Sequence, residues 1–317
     1  MKKSMMRLAI LCLSVFALTN CSEKSVWKSS ETFEAGGKLR VTATTTMIQD
    51  LVKVIGGEEI EVYGMMADGI DPHSYTQRAS DVTAMTSADL IFYNGIHLEA
   101  TLQEKLEKLE NAHVVTKQMT ETDLIQPEEE NSKYADPHVW GDPVLWAKAI
   151  PVVVDSLSAK DPSNKDKYSA RGAAYREELM ALNTWVKARM NEIPADQRYL
   201  VTSHDAFMYF SNAFDIEVRA IDGLAPGDKS GPKKVAELVD FIKAKNIKMI
   251  FPESAANSKG INAIAQDANT AVSEHELFAD ACGKRGEMET SNGETYDVGT
   301  YIGMIKHNVN AVVDGLK

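Results

Sequence analysis

The sequence predicts an α/β protein of two lobes, each a parallel sheet flanked by helices, joined by one long rigid helix. Three observations carry this. Short β-rich apolar runs alternate with helical stretches in both halves of the 317-residue chain. A single proline-free helical stretch separates the two series. A chain of this length can also bury enough apolar surface for two cores.

Residues 1–20 open with a basic start (Lys2, Lys3, Arg7), followed by an apolar run over residues 8–18 that is too short to cross a bilayer as a helix. This is the pattern of a secretory signal. The run ends in Leu18-Thr19-Asn20-Cys21, which resembles the lipobox of bacterial lipoproteins, with Asn20 in place of the usual small residue. Cys21 would then carry lipid as the first residue of the mature chain. Residues 21–37 are rich in Ser, Glu, Lys and Gly and form a flexible tether after that cysteine.

Folded structure is expected from Lys38. In a first lobe, residues 38–163, strands are predicted at 39–45, 60–65, 89–94 and 113–116. Residues 164–193 form the linking helix, because Tyr175, Leu179, Leu182, Val186 and Met190 recur at three- and four-residue steps. In the second lobe, residues 194–317, strands are predicted at 199–202, 216–221, 248–251 and 271–273, with helices near 232–244 and 259–269. No repeat of fixed period appears.

Charge and cysteine content narrow the classes. The formal net charge is -12, and loss of the basic signal takes it to about -15, which excludes nucleic acid as a partner. Of three cysteines, Cys12 lies in the signal and Cys21 bears the lipid, leaving Cys282 as the one ordinary thiol and no internal disulfide. After the signal, no apolar run reaches the length of a membrane span. The expectation is a monomer anchored by lipid alone.

Four segments hold the candidate chemistry: Asp71-Pro72-His73-Ser74-Tyr75, Asp136-Pro137-His138-Val139-Trp140, Thr202-Ser203-His204-Asp205-Ala206-Phe207, and Leu277-Phe278-Ala279-Asp280. In both Asp-Pro-His segments the proline fixes its own φ and keeps the preceding aspartate extended, so a histidine is presented on a stiff loop. His204 follows a strand and is expected to open a helix capped by Ser203, at the carboxyl edge where open α/β sheets bind ligands. Ser203, His204 and Asp205 are consecutive and cannot align as a hydrolytic triad. Phe207, Tyr209 and Phe210 are spaced as core residues.

With these segments, Asn94-Gly95, Phe251-Pro252-Glu253 and the closing run from Thr300 to Val309, the chain resembles the zinc- and manganese-binding family of ABC-transporter solute-binding proteins over residues 38–317. The resemblance implies a bilobed fold with a rigid linking helix and an extracytoplasmic role capturing a divalent ion, Zn2+ or Mn2+ with Fe2+ as a further candidate, for a membrane permease. It carries the family's four ligands onto His73 and His138 in the first lobe and His204 and Asp280 in the second. His97, His113, His275 and His307 match no ligand position. The sequence has neither the His-rich loop of many zinc-specific members nor the glutamate of many manganese-specific ones at the third ligand position, so both metals stay open.

Three imidazoles and a carboxylate suit a first-row divalent ion and are poorly matched to Cu(I), which prefers sulfur. Two other classes compete. A secreted metal-dependent hydrolase would keep an open coordination position and use Glu253 as general base. A metal-stabilised adhesin would share the fold. If the three histidines must be neutral to bind, affinity should fall as pH drops below roughly 6.5.

Overall fold

The computed structural model describes residue 33 and residues 37–126 and 133–317. The signal, Cys12, Cys21 and nearly all of the tether lie outside the described residues. Four parallel strands build the first sheet: β1 (Leu39–Ala43), β2 (Ile60–Gly64), β3 (Leu90–Tyr93) and β4 (Ala112–Val114), in the order β2-β1-β3-β4. Val41 of β1 sits opposite Val62 of β2 and Leu90 of β3. Between β1 and β2 runs helix α1 (Thr46–Gly56), begun by Thr45, whose hydroxyl accepts from Ile48 N–H at 3.4 Å. Its apolar face (Met47, Ile48, Leu51, Val52, Ile55) is fully buried. Helices α2 (Ala79–Ser87) and α3 (Gln103–Leu106) complete this first series.

The chain then folds through α4 (Pro143–Trp146) and α5 (Ile150–Lys160) into α6 (Lys165–Met190). At 26 residues and 1.5 Å per residue, α6 is about 39 Å long. Its buried stripe takes in the five predicted residues and extends N-terminally through Tyr168 and Gly172. Gly172 is needed there, since a Cβ would lie 2.6 Å from Val154 Cγ2 of α5. Helix α6 packs on α1, α4 and α5 from the first half of the chain and on later helices from the second. It is the spine the sequence predicts.

After α6 come β5 (Tyr199–Thr202), α7 (Met208–Phe214), β6 (Glu217–Ala220), α8 (Pro232–Lys245), β7 (Met249–Ile250), α9 (Lys259–Ala268) and β8 (Ala271–Val272). Strands β5 and β6 pair in parallel, as do β7 and β8. Phe251 N–H donates to Val201 O at 2.9 Å, which sets β7 beside β5 and gives the order β6-β5-β7-β8. This repeats the arrangement of the first sheet without any repeat in sequence. A hairpin, β9 (Met288–Ser291) with β10 (Glu294–Asp297), and the C-terminal helix α10 (Tyr301–Leu316) close the chain.

One core is continuous across the molecule, from Val41 and Ile48 through Tyr175 and Leu179 of α6 to Met304 and Val312 of α10. Two smaller ones lie under the far faces of the sheets. One expectation needs correction and one element is new. The hairpin was not anticipated, and α7 starts at Met208 rather than at His204. Ser203 does not cap it. The N–H groups of Ser203 and His204 both donate to the Glu253 carboxylate, at 2.8 and 3.0 Å, so this backbone is claimed by a side chain 49 residues away and turns once more before the helix begins.

Candidate metal centre

His138 is fixed from both sides. In the Asp136-Pro137-His138 turn, Asp136 Oδ1 accepts from the His138 N–H at 2.9 Å and stands 2.7 Å from its Nδ1. Asn94 Nδ2, at the end of β3, donates to Pro137 O at 3.1 Å and ties this loop to the first sheet. The neighbouring Gly95 has φ +79, and a Cβ there would meet Val114 Cγ1 at 2.6 Å, so the Asn94-Gly95 pair serves a backbone that only glycine enters without strain. From the second half of the chain, Tyr209 donates to Asp136 O at 2.7 Å.

The Asp71-Pro72-His73 turn repeats the backbone bond, with His73 N–H donating to Asp71 Oδ1 at 2.8 Å. The loop that follows is held by Asp81, which is fully buried and accepts from Tyr63 and Tyr75 at 2.9 and 2.5 Å. Across the molecule, His204 sits in the turn after β5. Its Nδ1 faces Glu253 Oε2, and its carbonyl accepts from Thr202 Oγ1 at 3.0 Å.

These turns bring His73, His138, His204 and Asp280 together, with one ligand-type atom of each lying within 4.8 Å of the others. His73 Nε2 is 3.2 Å from His138 Nε2. Asp280 straddles the other pair, Oδ1 standing 3.4 Å from His138 Nε2 and Oδ2 3.2 Å from His204 Nε2. A tetrahedral shell of nitrogen and oxygen ligands about 2.0–2.1 Å from its centre has edges of about 3.3 Å. His138, His204 and Asp280 are buried, whereas His73 is only partly so and marks the outer side.

The chemistry follows from proton placement. Asp136 and Glu253 each accept a hydrogen bond from the Nδ1–H of a histidine, so that in the neutral ring the Nε2 atoms of His138 and His204 offer lone pairs inward. Asp280 adds two more acceptors, and His204 Nε2 and both Asp280 oxygens are buried without a hydrogen-bond partner. Such orphaned acceptors are costly in a protein interior. A cation satisfies all of them at once. One Asp280 oxygen would complete a four-ligand shell and both would complete a five-ligand one.

Without a cation, protons compete for the same atoms. Burial pulls His138 down, but the Asp136 and Asp280 carboxylates outweigh it and lift the imidazole to about 9. For His204, burial is likewise outweighed by Glu253 and Asp280, and it is raised well above the ordinary range. Asp280 is held well below the usual carboxylate range because His204 and His138 outweigh its burial. His73 goes the other way: burial lowers it to about 4.

The other histidines lie elsewhere. His97 Nδ1 is 3.1 Å from Gln103 Oε1 and its ring stacks on Tyr134. His307 is bonded to Glu289 at 2.6 Å and to Glu276 O at 2.9 Å, with His275 beside it. Phe207, Tyr209 and Phe210 are core residues. The sequence reading missed that two residues beside the centre orient its histidines. Asp136 was legible, because an aspartate two residues before a histidine can bond both its N–H and its ring. Glu253 was noticed only as a possible base, since 49 residues separate it from His204. It is 1% exposed and its oxygens are committed to Ser203 and His204, so it stands behind His204 rather than against a water.

Comparison with known proteins agrees along nearly the whole chain. Residues 41–315 match the family described as zinc-uptake complex component A, periplasmic. The manganese-binding lipoprotein MntA of Bacillus subtilis (strain 168) is 34% identical over 317 residues, covering 98% of this chain and 98% of that protein. The zinc-binding protein TroA of Treponema pallidum (strain Nichols) is 34% identical over 310 residues, 96% of this chain and 98% of its own. The solved structure of the periplasmic zinc-binding protein TroA from Treponema pallidum matches with a TM-score of 0.81 at 35% identity, over 88% of this chain and 99% of that one.

Proposed function

We propose that this chain, which belongs to the zinc-uptake complex component A family of periplasmic metal-binding proteins, binds one divalent ion, Zn2+ or Mn2+, through His73, His138, His204 and Asp280. The family is the solute-binding component of metal ABC importers and is not an enzyme. The chain therefore works outside the cytoplasm with a permease and its ATPase, handing the ion over as cargo. One observation supports the ligand assignment: the ligand-type atoms of three imidazoles and a carboxylate from four separate segments converge within 4.8 Å of one another in a largely buried space.

Zn2+ outranks Mn2+ on any such donor set, so a manganese role draws on geometry or availability. The straddling position of Asp280 supports both, through one oxygen or two. The hydrolase reading loses its base in Glu253, and nothing in the site calls for the adhesin reading. Cells lacking the chain should accumulate less of the cognate metal from limiting medium, with uptake restored by the wild-type chain and not by His138→Ala. Full restoration by His138→Ala would overturn the proposal.

The finer placement is also proposed: a monomer held to the membrane by lipid on Cys21, with a tether to Gly37, lobes 38–163 and 194–317 and a linking helix 164–193. Among the described residues no helix is long and apolar enough to cross a membrane, so attachment rests on the lipid. Cys21→Ser should move the protein from the membrane to the soluble fraction. Unchanged partition, with no lipid mass on the wild-type N-terminus, would remove the anchor from this account.

A further inference from the structure

Asp280 follows the second sheet in chain order, yet the bonds on both sides of it lead to the first lobe. We infer that Trp140 and Thr46 are positioning residues for Asp280, tying this second-lobe residue to the first lobe so that His73, His138 and Asp280 form a three-ligand half-site, which His204 completes. The inference rests on the ligand assignment above.

Up to Leu277 the segment belongs to the second sheet: Leu277 N–H donates to Pro252 O at 2.8 Å, and Ser254 N–H donates to Leu277 O at 3.0 Å. Phe278 is bound in both directions by Asn308 of α10, at 2.9 and 2.8 Å. Beyond it the partners change. Ala279 O accepts from Trp140 Nε1 at 2.8 Å, a buried bond spanning 139 residues. Cys282 N–H donates to Thr46 Oγ1 at 2.7 Å. Trp140 comes two residues after His138, and Thr46 opens α1, so the residues just before and two after Asp280 are pinned by elements of the first lobe.

The support continues outward. Arg285 pairs with Asp50 of α1, and Asp50 Oδ2 accepts from Tyr301 N–H at 3.0 Å. Tyr301 in turn donates to Trp140 O at 2.7 Å. Asp50 is 2% exposed, and breaking such a buried pair is costly. By contrast, the bonds that orient His204 run to Glu253 and Thr202 in the second lobe. A carboxylate pinned to the same body as two imidazoles is preorganised toward them, which lowers the ordering cost of binding.

The test is a double-mutant cycle on ion-free full-length protein, with Zn2+ affinity read by chelator competition. Thr46→Val, which keeps the shape and loses the acceptor, should weaken binding about five- to tenfold, and Thr46→Ser should restore it. In an Asp280→Asn background the Thr46→Val loss should shrink to within about twofold, because the group it positions no longer carries charge. Trp140→Phe should follow the same pattern. A merely structural role would give equal losses in both backgrounds, and that result, or no loss from Thr46→Val, overturns the inference.

Amide exchange supplies a second readout in the ion-free protein. The Cys282 N–H should be protected like amides of α1, and exchange at the rate of the Leu277 N–H would count against the assignment. Failure of the ligand assignment itself looks different: Asp280→Asn would then leave wild-type affinity intact.

Discussion

Replacing His138 by alanine should lower Zn2+ affinity on the order of a thousandfold or more, the largest effect expected of any single change in this chain. His138 is fully buried, is held at Nδ1 by Asp136, and presents Nε2 to both His73 and Asp280. Alanine removes one ligand atom of four and takes from the buried Asp280 carboxylate one of the two imidazoles that face it. His204→Ala should be comparable, and His73→Ala somewhat milder because water can reach the outer side. Asp136→Asn and Glu253→Gln keep the ligands but weaken their orientation, and should cost about 10–100-fold. His97→Ala, His113→Ala and His307→Ala should leave affinity within about twofold, since none faces the centre. Chelator competition on this set decides it. Loss at His97 with retention at His138 would invert the assignment.

Acid should release the metal steeply. The sign follows from what the ion-free site holds. His138 is raised to about 9 and His204 well above the ordinary imidazole range, so at neutral pH both keep a proton that an incoming ion must displace. Binding therefore releases about two protons, and affinity falls with each unit of acidification below that range. Between about pH 7.5 and about pH 5.5 the loss can reach the order of ten-thousandfold. His73, lowered to about 4, adds its proton only in stronger acid. The sequence treats the three imidazoles alike and expects a joint loss near the ordinary histidine value. The structure separates them, because two face carboxylates and one is chiefly buried. Calorimetry in buffers of different ionisation enthalpy reads the protons released, and an affinity flat across that span would refute the scheme.

Much of this site was legible in the residues. The spine helix showed its face through Tyr175, Leu179, Leu182, Val186 and Met190, since a 3.6-residue period needs no tertiary information. The two Asp-Pro-His segments announced stiff loops because proline limits its own backbone and that of its predecessor. What was missed depends on distance in the chain. Glu253 and His204 meet across 49 residues and Trp140 and Ala279 across 139, and no local pattern encodes either meeting. The displaced start of α7 has the same cause, a remote carboxylate that captures two N–H groups.

The overlooked hairpin is different, because its signal was present. Asn292 and Gly293 both have positive φ, at 50 and 76, as the favoured two-residue turn requires. Its strands, however, lack the alternation of apolar and polar residues that marks a half-buried sheet. Apart from the buried Tyr296, their side chains are exposed or half-exposed, which explains why pattern reading passed over them.

The most direct test is native mass spectrometry, with elemental analysis, of the chain purified from its own cell envelope beside His138→Ala from the same source. One Zn2+ or Mn2+ per wild-type chain, absent from His138→Ala, is the expected result. A wild-type chain without a divalent ion, or a His138→Ala chain that retains a full equivalent, would contradict a metal held by His73, His138, His204 and Asp280.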